Sequence, residues 1–356
     1  MSEALGITFE EIDRAGVVTL DRPDRLNALS REMFEALSAH YGRWAAAPHI
    51  YGVVMQSSHP TVFCSGGDLK DLNALNEQGA TEAIREFYRA AYSHVWLLER
   101  FIRPNVPLIN GLMFGGGIGI TLFGTHRVAA EGYRFAMPQV GIGFLPDIGG
   151  TYFLPRLLGW TGVYLALTGG IIGPADAHRL NLVTHYIPSA QFGVIKDAIA
   201  DNHPIDRLLD GLHRDPGEGD LVRHTPAINR IFSAPSVEEI VARLDAEDEA
   251  WARETAAELR KKSPTSLKIA FAQMQAGKSL NLAECLKLEF RLASHLVKSH
   301  DFREGIDARI AGKGRAPVWQ PATLAEVDDD EIERLFATPV DGELELEERT
   351  LGPASP

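Results

Sequence analysis

Over its first 190 residues the chain alternates short apolar runs with helical stretches, and two of those runs are followed by glycine clusters. Gly16–Asp21, Tyr51–Gln56 and Val106–Asn110 read as strands, and Arg127–Ala130 and Tyr133–Ala136 as two more. Between them, Ser30 caps a helix whose apolar residues Met33, Phe34, Leu37 and Tyr41 fall at helical spacing. A longer helix is predicted from about 81 to 101, and a short buried one over 115–123. Strands separated by helices favour parallel βαβ units, so the fold class is α/β.

After residue 190 the pattern changes. Pro204, Pro216, Gly217, Gly219 and Pro226 mark an irregular stretch, and amphipathic helices are then predicted at about 236–261, 265–276 and 279–299. The division expected from this is a core over 1–190, a linker and irregular segment over 191–235, and a helical region over 236–356.

Composition narrows the function classes. With 356 residues, 45% hydrophobic and 23% charged, the chain can bury about three-quarters of its unfolded surface. Its formal charge of −13 repels nucleic acid and anionic membranes unless a local basic patch overrides it. The one basic run, Arg260–Lys262, reads as a solvated helix end, and the acidic stretches 327–333 and 343–348 as solvated surface. Two cysteines, Cys64 and Cys285, build no disulfide framework, and no Cys/His spacing matches a metal site. The first sixteen residues hold acids and no apolar core of a signal peptide, and no apolar run is long enough to span a bilayer. The expected compartment is cytoplasmic.

Three segments carry chemistry. Asn110–Gly119 follows a strand and opens a helix, but neither Gly115 nor Gly117 has a glycine five positions on, so a dinucleotide fingerprint fails. Free N–H groups at a helix start remain, open either to close ligand approach or to tight packing. Phe63–Asp68 is the second cluster, also after a strand. One amide from each cluster could converge on a single carbonyl oxygen as an oxyanion hole. Phe63 stands where a nucleophile elbow needs glycine, which argues against Ser65 as a nucleophile, and Cys64 has no histidine signal beside it. In the third segment, Phe135–Thr151, Asp147 sits among apolar and glycine residues, as a helix cap, a catalytic acid with a raised pKa, or both.

Taken together, these segments resemble the enoyl-CoA hydratase/isomerase (crotonase) superfamily, and within it the branch that hydrolyses 3-hydroxyisobutyryl-CoA. The resemblance runs through Val18–Leu29, Cys64–Leu69, Ala136–Pro138, Phe144–Gly150, Tyr152–Leu157, Ser263–Ile269, His300–Ile306 and Pro317–Pro321, nearly the whole chain. It implies a spiral of ββα units followed by an α-helical C-terminal region. It places a thioester carbonyl between the amides of Gly67 and Gly116, and CoA contacts at Arg25, Leu26, Gly66, Asp68 and Leu69. Arg22, Lys268, Arg309 and Lys313 are further candidate cations, and Phe114, Phe144, Leu145 and Tyr152 candidate pocket walls.

One position departs from the pattern. The hydrolase branch has a glutamate after Met-Pro and an aspartate eight residues later; here the aspartate is Asp147 but the first position is Gln139. A glutamine is no general base or carboxylate nucleophile, although its amide can orient water or a hydroxyl. The two glutamates of hydratases map to Gly119 and Gln139, which disfavours simple hydration.

The resemblance thus implies hydrolysis of a short 3-hydroxyacyl-CoA thioester, of the kind met in valine catabolism, with Asp147 as acid/base, Gln139 positioning, and Gly67 and Gly116 holding the oxyanion. Enolate chemistry of the isomerase type, and an acyl-CoA-binding homologue without catalysis, remain as alternatives. CoA enters as substrate, with no permanently bound cofactor and no metal, and a homo-oligomer is compatible with the family.

Overall fold

A computed structural model describes residues 5–310, 315–338 and 342–347. Among the described residues, nine strands form two sheets. The larger has the order β1 (Ile7–Ile12), β2 (Ala15–Leu20), β3 (Gly52–Ser57), β5 (Asn105–Ile109), β7 (Val128–Ala129), β9 (His185–Tyr186). The smaller is β4 (Val62–Cys64), β6 (Leu112–Phe114), β8 (Arg134–Ala136). Of these strand pairs, β1–β2 alone is antiparallel. Each turn of the chain therefore lays one strand in each sheet: β3 then β4, β5 then β6, β7 then β8. This is the expected α/β spiral.

The helices between turns fill the space beside the sheets. Ser30 caps Arg31–Ala46, its hydroxyl accepting from the Met33 amide, and Met33, Phe34, Leu37, Tyr41 and Trp44 face inward. A cap of this kind is worth about 1 kcal/mol. Helix Thr81–Glu99 buries Ile84, Phe87, Tyr88, Ala91, Tyr92, Val95 and Leu98. That spacing aims Tyr88 and Tyr92, one turn apart, in the same direction.

Two predicted helices are shorter than the sequence suggested. The 115–123 helix is one turn, Gly116–Gly119. The expected 236–261 helix is two, Val237–Asp245 and Ala250–Leu259. Asp248 falls where the stripe of Ile240, Leu244, Ala252 and Ala256 would need an apolar residue, and an unpaired charge cannot continue the buried face.

The remaining helices close over the core. Leu282–Leu296 packs on Thr81–Glu99, Pro264–Gly277 on Thr161–Thr168 and Gly150–Phe153, and His300–Ile310 on Leu69–Glu77 and the turn Gln139–Ile142. Among the described residues no helix is long and apolar enough to cross a membrane.

Candidate active site

The smaller sheet sets the site. Parallel strands β4, β6 and β8 are neighbours, so the loops leaving their carboxyl ends lie side by side: Ser65–Asp68, Gly115–Gly116 and Met137–Gln139. Ligands gather at such strand ends in α/β proteins. A cavity of about 680 Å³ opens there.

Its wall brings together the residues expected to hold the oxyanion, to handle protons and to contact CoA. Gly67, Gly116, Gln139 and Asp147 line it, as do Arg25, Leu26, Gly66, Asp68 and Leu69. Gly67 and Gly116 come very close: a Cβ on Gly116 would stand 3.3 Å from the Gly67 nitrogen. Neither amide donates to another described residue. Two free N–H groups in a cavity wall are a ready pair of donors for an oxygen that gains charge.

Asp147 closes the deep end and is 6% exposed. Its Oδ2 accepts from the Tyr92 hydroxyl at 2.9 Å and its Oδ1 from Gln139 Nε2 at 3.1 Å. Burial pushes its pKa up to about 6, against the pull of both hydrogen bonds. The side-chain oxygen of Gln139, Oε1, is buried without a partner among the described residues. Asp147 is not the cap of a helix; Gly149 takes that position for Gly150–Phe153.

Behind Asp147 lies a second buried carboxyl. Glu289, fully buried on Leu282–Leu296, accepts from the amides of Gly149 and Thr151, both at 2.8 Å. Burial first, then the Asp147 charge, push it up to about 8.

The mouth is built differently. Asp68 caps helix Leu69–Glu77 and pairs with Arg22 at 2.7 Å and Arg25 at 3.3 Å. Leu26, in a left-handed conformation at φ 52°, is 49% exposed beside Arg25. Lys262 and Arg309 also line the cavity.

Some expected residues fall elsewhere. Lys268 is committed to Glu238 and Asp329, and Lys313 lies outside the described residues. Phe114 and Phe144 are cavity walls, Leu145 is core, and Tyr152 borders a separate surface groove. Cys64 is buried, and burial lifts its thiol to about 12, so it stays neutral.

Sequence reasoning missed Tyr88, Tyr92, Glu289 and Lys262. The signal for Glu289 was present: it interrupts the apolar stripe Leu282, Leu286, Ala293 and Leu296. Lys262 belongs to the run expected to be solvated, yet burial lowers its pKa and it faces the cavity.

A family model described as enoyl-CoA hydratase/isomerase matches residues 15–336. The chain belongs to this family. Among its curated relatives is a protein named 3-hydroxyisobutyryl-CoA hydrolase, mitochondrial, from Danio rerio, 36% identical over 96% of this chain and 91% of that one. The Homo sapiens protein of the same name is 35% identical over 93% and 88%. A solved structure titled carnitinyl-CoA dehydratase, from Mycobacterium thermoresistibile, superposes with a TM-score of 0.91 at 32% identity, covering 97% of this chain and 99% of that one. A Cβ at Gly119 would stand 2.8 Å from Cγ1 of Ile148, so no side chain fits there unless Ile148 moves.

Proposed function

We propose that the protein hydrolyses a short 3-hydroxyacyl-CoA thioester to the free acid and CoA. The observation that carries this reading is Asp147, a cavity carboxylate with a pKa raised to about 6, in the same wall as the adjacent free amides of Gly67 and Gly116. The curated relatives named as hydrolases support the reaction class.

In this reading the thioester oxygen sits on the amides of Gly67 and Gly116. Water attacks the carbonyl carbon, and ionised Asp147 takes a proton from it as the carbon–oxygen bond forms. The tetrahedral intermediate collapses, the carbon–sulfur bond breaks, and Asp147 returns the proton to the departing sulfur. Each oxyanion donor is worth roughly 3–4 kcal/mol and a general base about 10²–10⁴ in rate. A base with a pKa near 6 is ionised at neutral pH yet remains an effective proton acceptor. Gln139 holds Asp147 with its amide nitrogen and offers its unpartnered oxygen to water or to the substrate hydroxyl. At the mouth, exposed Leu26 and half-buried Arg25 suit the adenine and a phosphate of CoA.

A second reading follows from the dehydratase-titled structure: enolate chemistry on the same hole, with Asp147 moving a carbon-bound proton. The test is thiol release from 3-hydroxyisobutyryl-CoA and 3-hydroxypropionyl-CoA, with wild type, Asp147→Asn and Gln139→Glu side by side. The hydrolase reading expects thiol from wild type and almost none from Asp147→Asn. Rearranged product with its thioester intact supports the enolate reading. Tight CoA-ester binding with no product at all means a binding protein.

A further inference from the structure

The turn that carries Asp147 is strained, and it is held from behind. Ile148 adopts φ 59°, the left-handed region that a β-branched residue rarely enters, and Gly149 follows at φ 88°. Such a conformation persists only where its surroundings over-determine it. On the cavity side, Ile148 packs over Gly119 of the one-turn helix that begins at Gly116. On the far side, two fully buried side chains grip the turn. Glu289 accepts from the amides of Gly149 and Thr151. Gln273, on Pro264–Gly277, donates through Nε2 to the Pro146 carbonyl at 2.7 Å and to the Thr151 hydroxyl at 2.6 Å. Neither Glu289 nor Gln273 lines the cavity.

We infer that Glu289 is a positioning residue for the reaction: its carboxyl group fixes the strained turn so that Asp147 meets Tyr92 and Gln139 at the cavity wall. This rests on the reading of Asp147 as the base. Stability alone does not explain the choice of residue. Glu289 sits in an apolar stripe, where a leucine or methionine would add packing, and a carboxyl buried near another carboxylate is costly. What the carboxyl provides, and an apolar side chain cannot, is a pair of acceptors matched to two amide donors on either side of Gly150.

The experiment is a double-mutant cycle on thiol release from 3-hydroxyisobutyryl-CoA, using wild type, Glu289→Gln, Asp147→Asn and the double variant. Glu289→Gln is expected to lower kcat by about 10- to 100-fold, the cost of misplacing a catalytic group by about an ångström, with KM within threefold. In the Asp147→Asn background the same change is expected to cost less than twofold. Glu289→Asp, which keeps the acceptor pair on a shorter arm, is expected to recover part of kcat. Wild-type kcat in Glu289→Gln overturns the inference, and so does an equal loss in both backgrounds, which marks a general structural role. An Asp147→Asn enzyme at wild-type rate instead sinks the base reading, and the inference with it. If Glu289→Gln does not fold, Gln273→Leu removes the other grip and leaves the carboxyl in place. It is expected to lower kcat about 5- to 10-fold at unchanged KM, and wild-type kcat there also overturns the inference.

Discussion

The two ends of the cavity use carboxylates in opposite ways. At the mouth, Asp68 faces the guanidinium groups of Arg22 and Arg25, and its other acceptor positions cap a helix. At the deep end, Asp147 is held by a phenol and an amide, and Glu289 by two main-chain N–H groups, all neutral donors. Ion pairing makes a buried carboxylate part of the scaffold. Neutral hydrogen bonds leave it desolvated and incompletely compensated, which is why Asp147 rises to about 6 and Glu289 to about 8. The lesson is that the donors around an aspartate, more than its burial, separate a structural group from one ready to exchange a proton.

The strongest test of this contrast changes Asp147 itself. Asp147→Asn is expected to lower kcat/KM about 10³-fold, the range of a lost general base, read by thiol release. It should also stabilise the protein at pH 8. A folded pKa near 6, against 3.8 unfolded, means the native state binds the proton more tightly, so this stabilising contribution is fully present below about pH 4 and disappears as pH rises to about 6. Above that pH the ionised Asp147 costs on the order of 2–3 kcal/mol, which asparagine removes. A melting midpoint at pH 8 that drops in Asp147→Asn would break the comparison. Next in size, Gly116→Ala puts a methyl 3.3 Å from the Gly67 nitrogen and is expected to lower kcat about 10²-fold, since it blocks the paired amides. Steady-state kinetics with circular dichroism as a folding control checks this.

Much of the fold and of the wall was legible because it is local. Alternating strands and helices, the Ser30 cap and the glycine clusters after β4 and β6 each announce themselves within a few residues. Their meeting follows from strand order, which the resemblance supplied and the spacing alone did not. The deep end was legible only in part. Asp147 stood out as a lone acid in an apolar segment, and its partner Gln139 lies eight residues away, but Tyr92, its other partner, and Glu289, which holds the 149–151 turn, come from helices far away in sequence. Glu289 and Lys262 were hidden for the same reason: amphipathic periodicity says which face of a helix is buried, not which element it meets. The break at Asp248 was readable as a charge within a stripe, the same kind of signal that Glu289 gives. One of these interrupts its helix, and the other is satisfied by donors from the 149–151 turn.

A second carboxylate at the deep end sharpens the contrast further. Gln139→Glu places a like charge about where an amide now donates to Asp147 at 3.1 Å. Like charges at that distance cannot both ionise easily, so the acid limb of kcat/KM is expected to move from near pH 6 to above pH 7. At pH 9, with both groups ionised, kcat should rise about tenfold if the added group shares the acid/base work. A limb that stays near pH 6 would mean that position 139 does not feel Asp147.

The smallest effects belong to the mouth, where the two arginines separate scaffold from recognition. Arg22 holds Asp68 at 2.7 Å and also donates to the Ala28 carbonyl, and does not itself line the cavity. Arg25 makes longer contacts, 3.3 Å to Asp68 and 3.9 Å to Asp71, and lines the cavity. Arg22→Ala should therefore lower stability by about 1–3 kcal/mol, by leaving Asp68 short of a charge-assisted bond, with little change in KM. Arg25→Ala should raise KM for the CoA ester about 5- to 10-fold with kcat within twofold, because one charge-assisted phosphate contact is lost. The KM penalty should shrink as salt screens the remaining attraction. If Arg25→Ala instead lowers the melting midpoint and leaves KM alone, both arginines serve Asp68. The two arginines would then be scaffold, and recognition of the phosphates would fall to the other cations that line the cavity, Lys70 and, from the C-terminal helical region, Lys262 and Arg309.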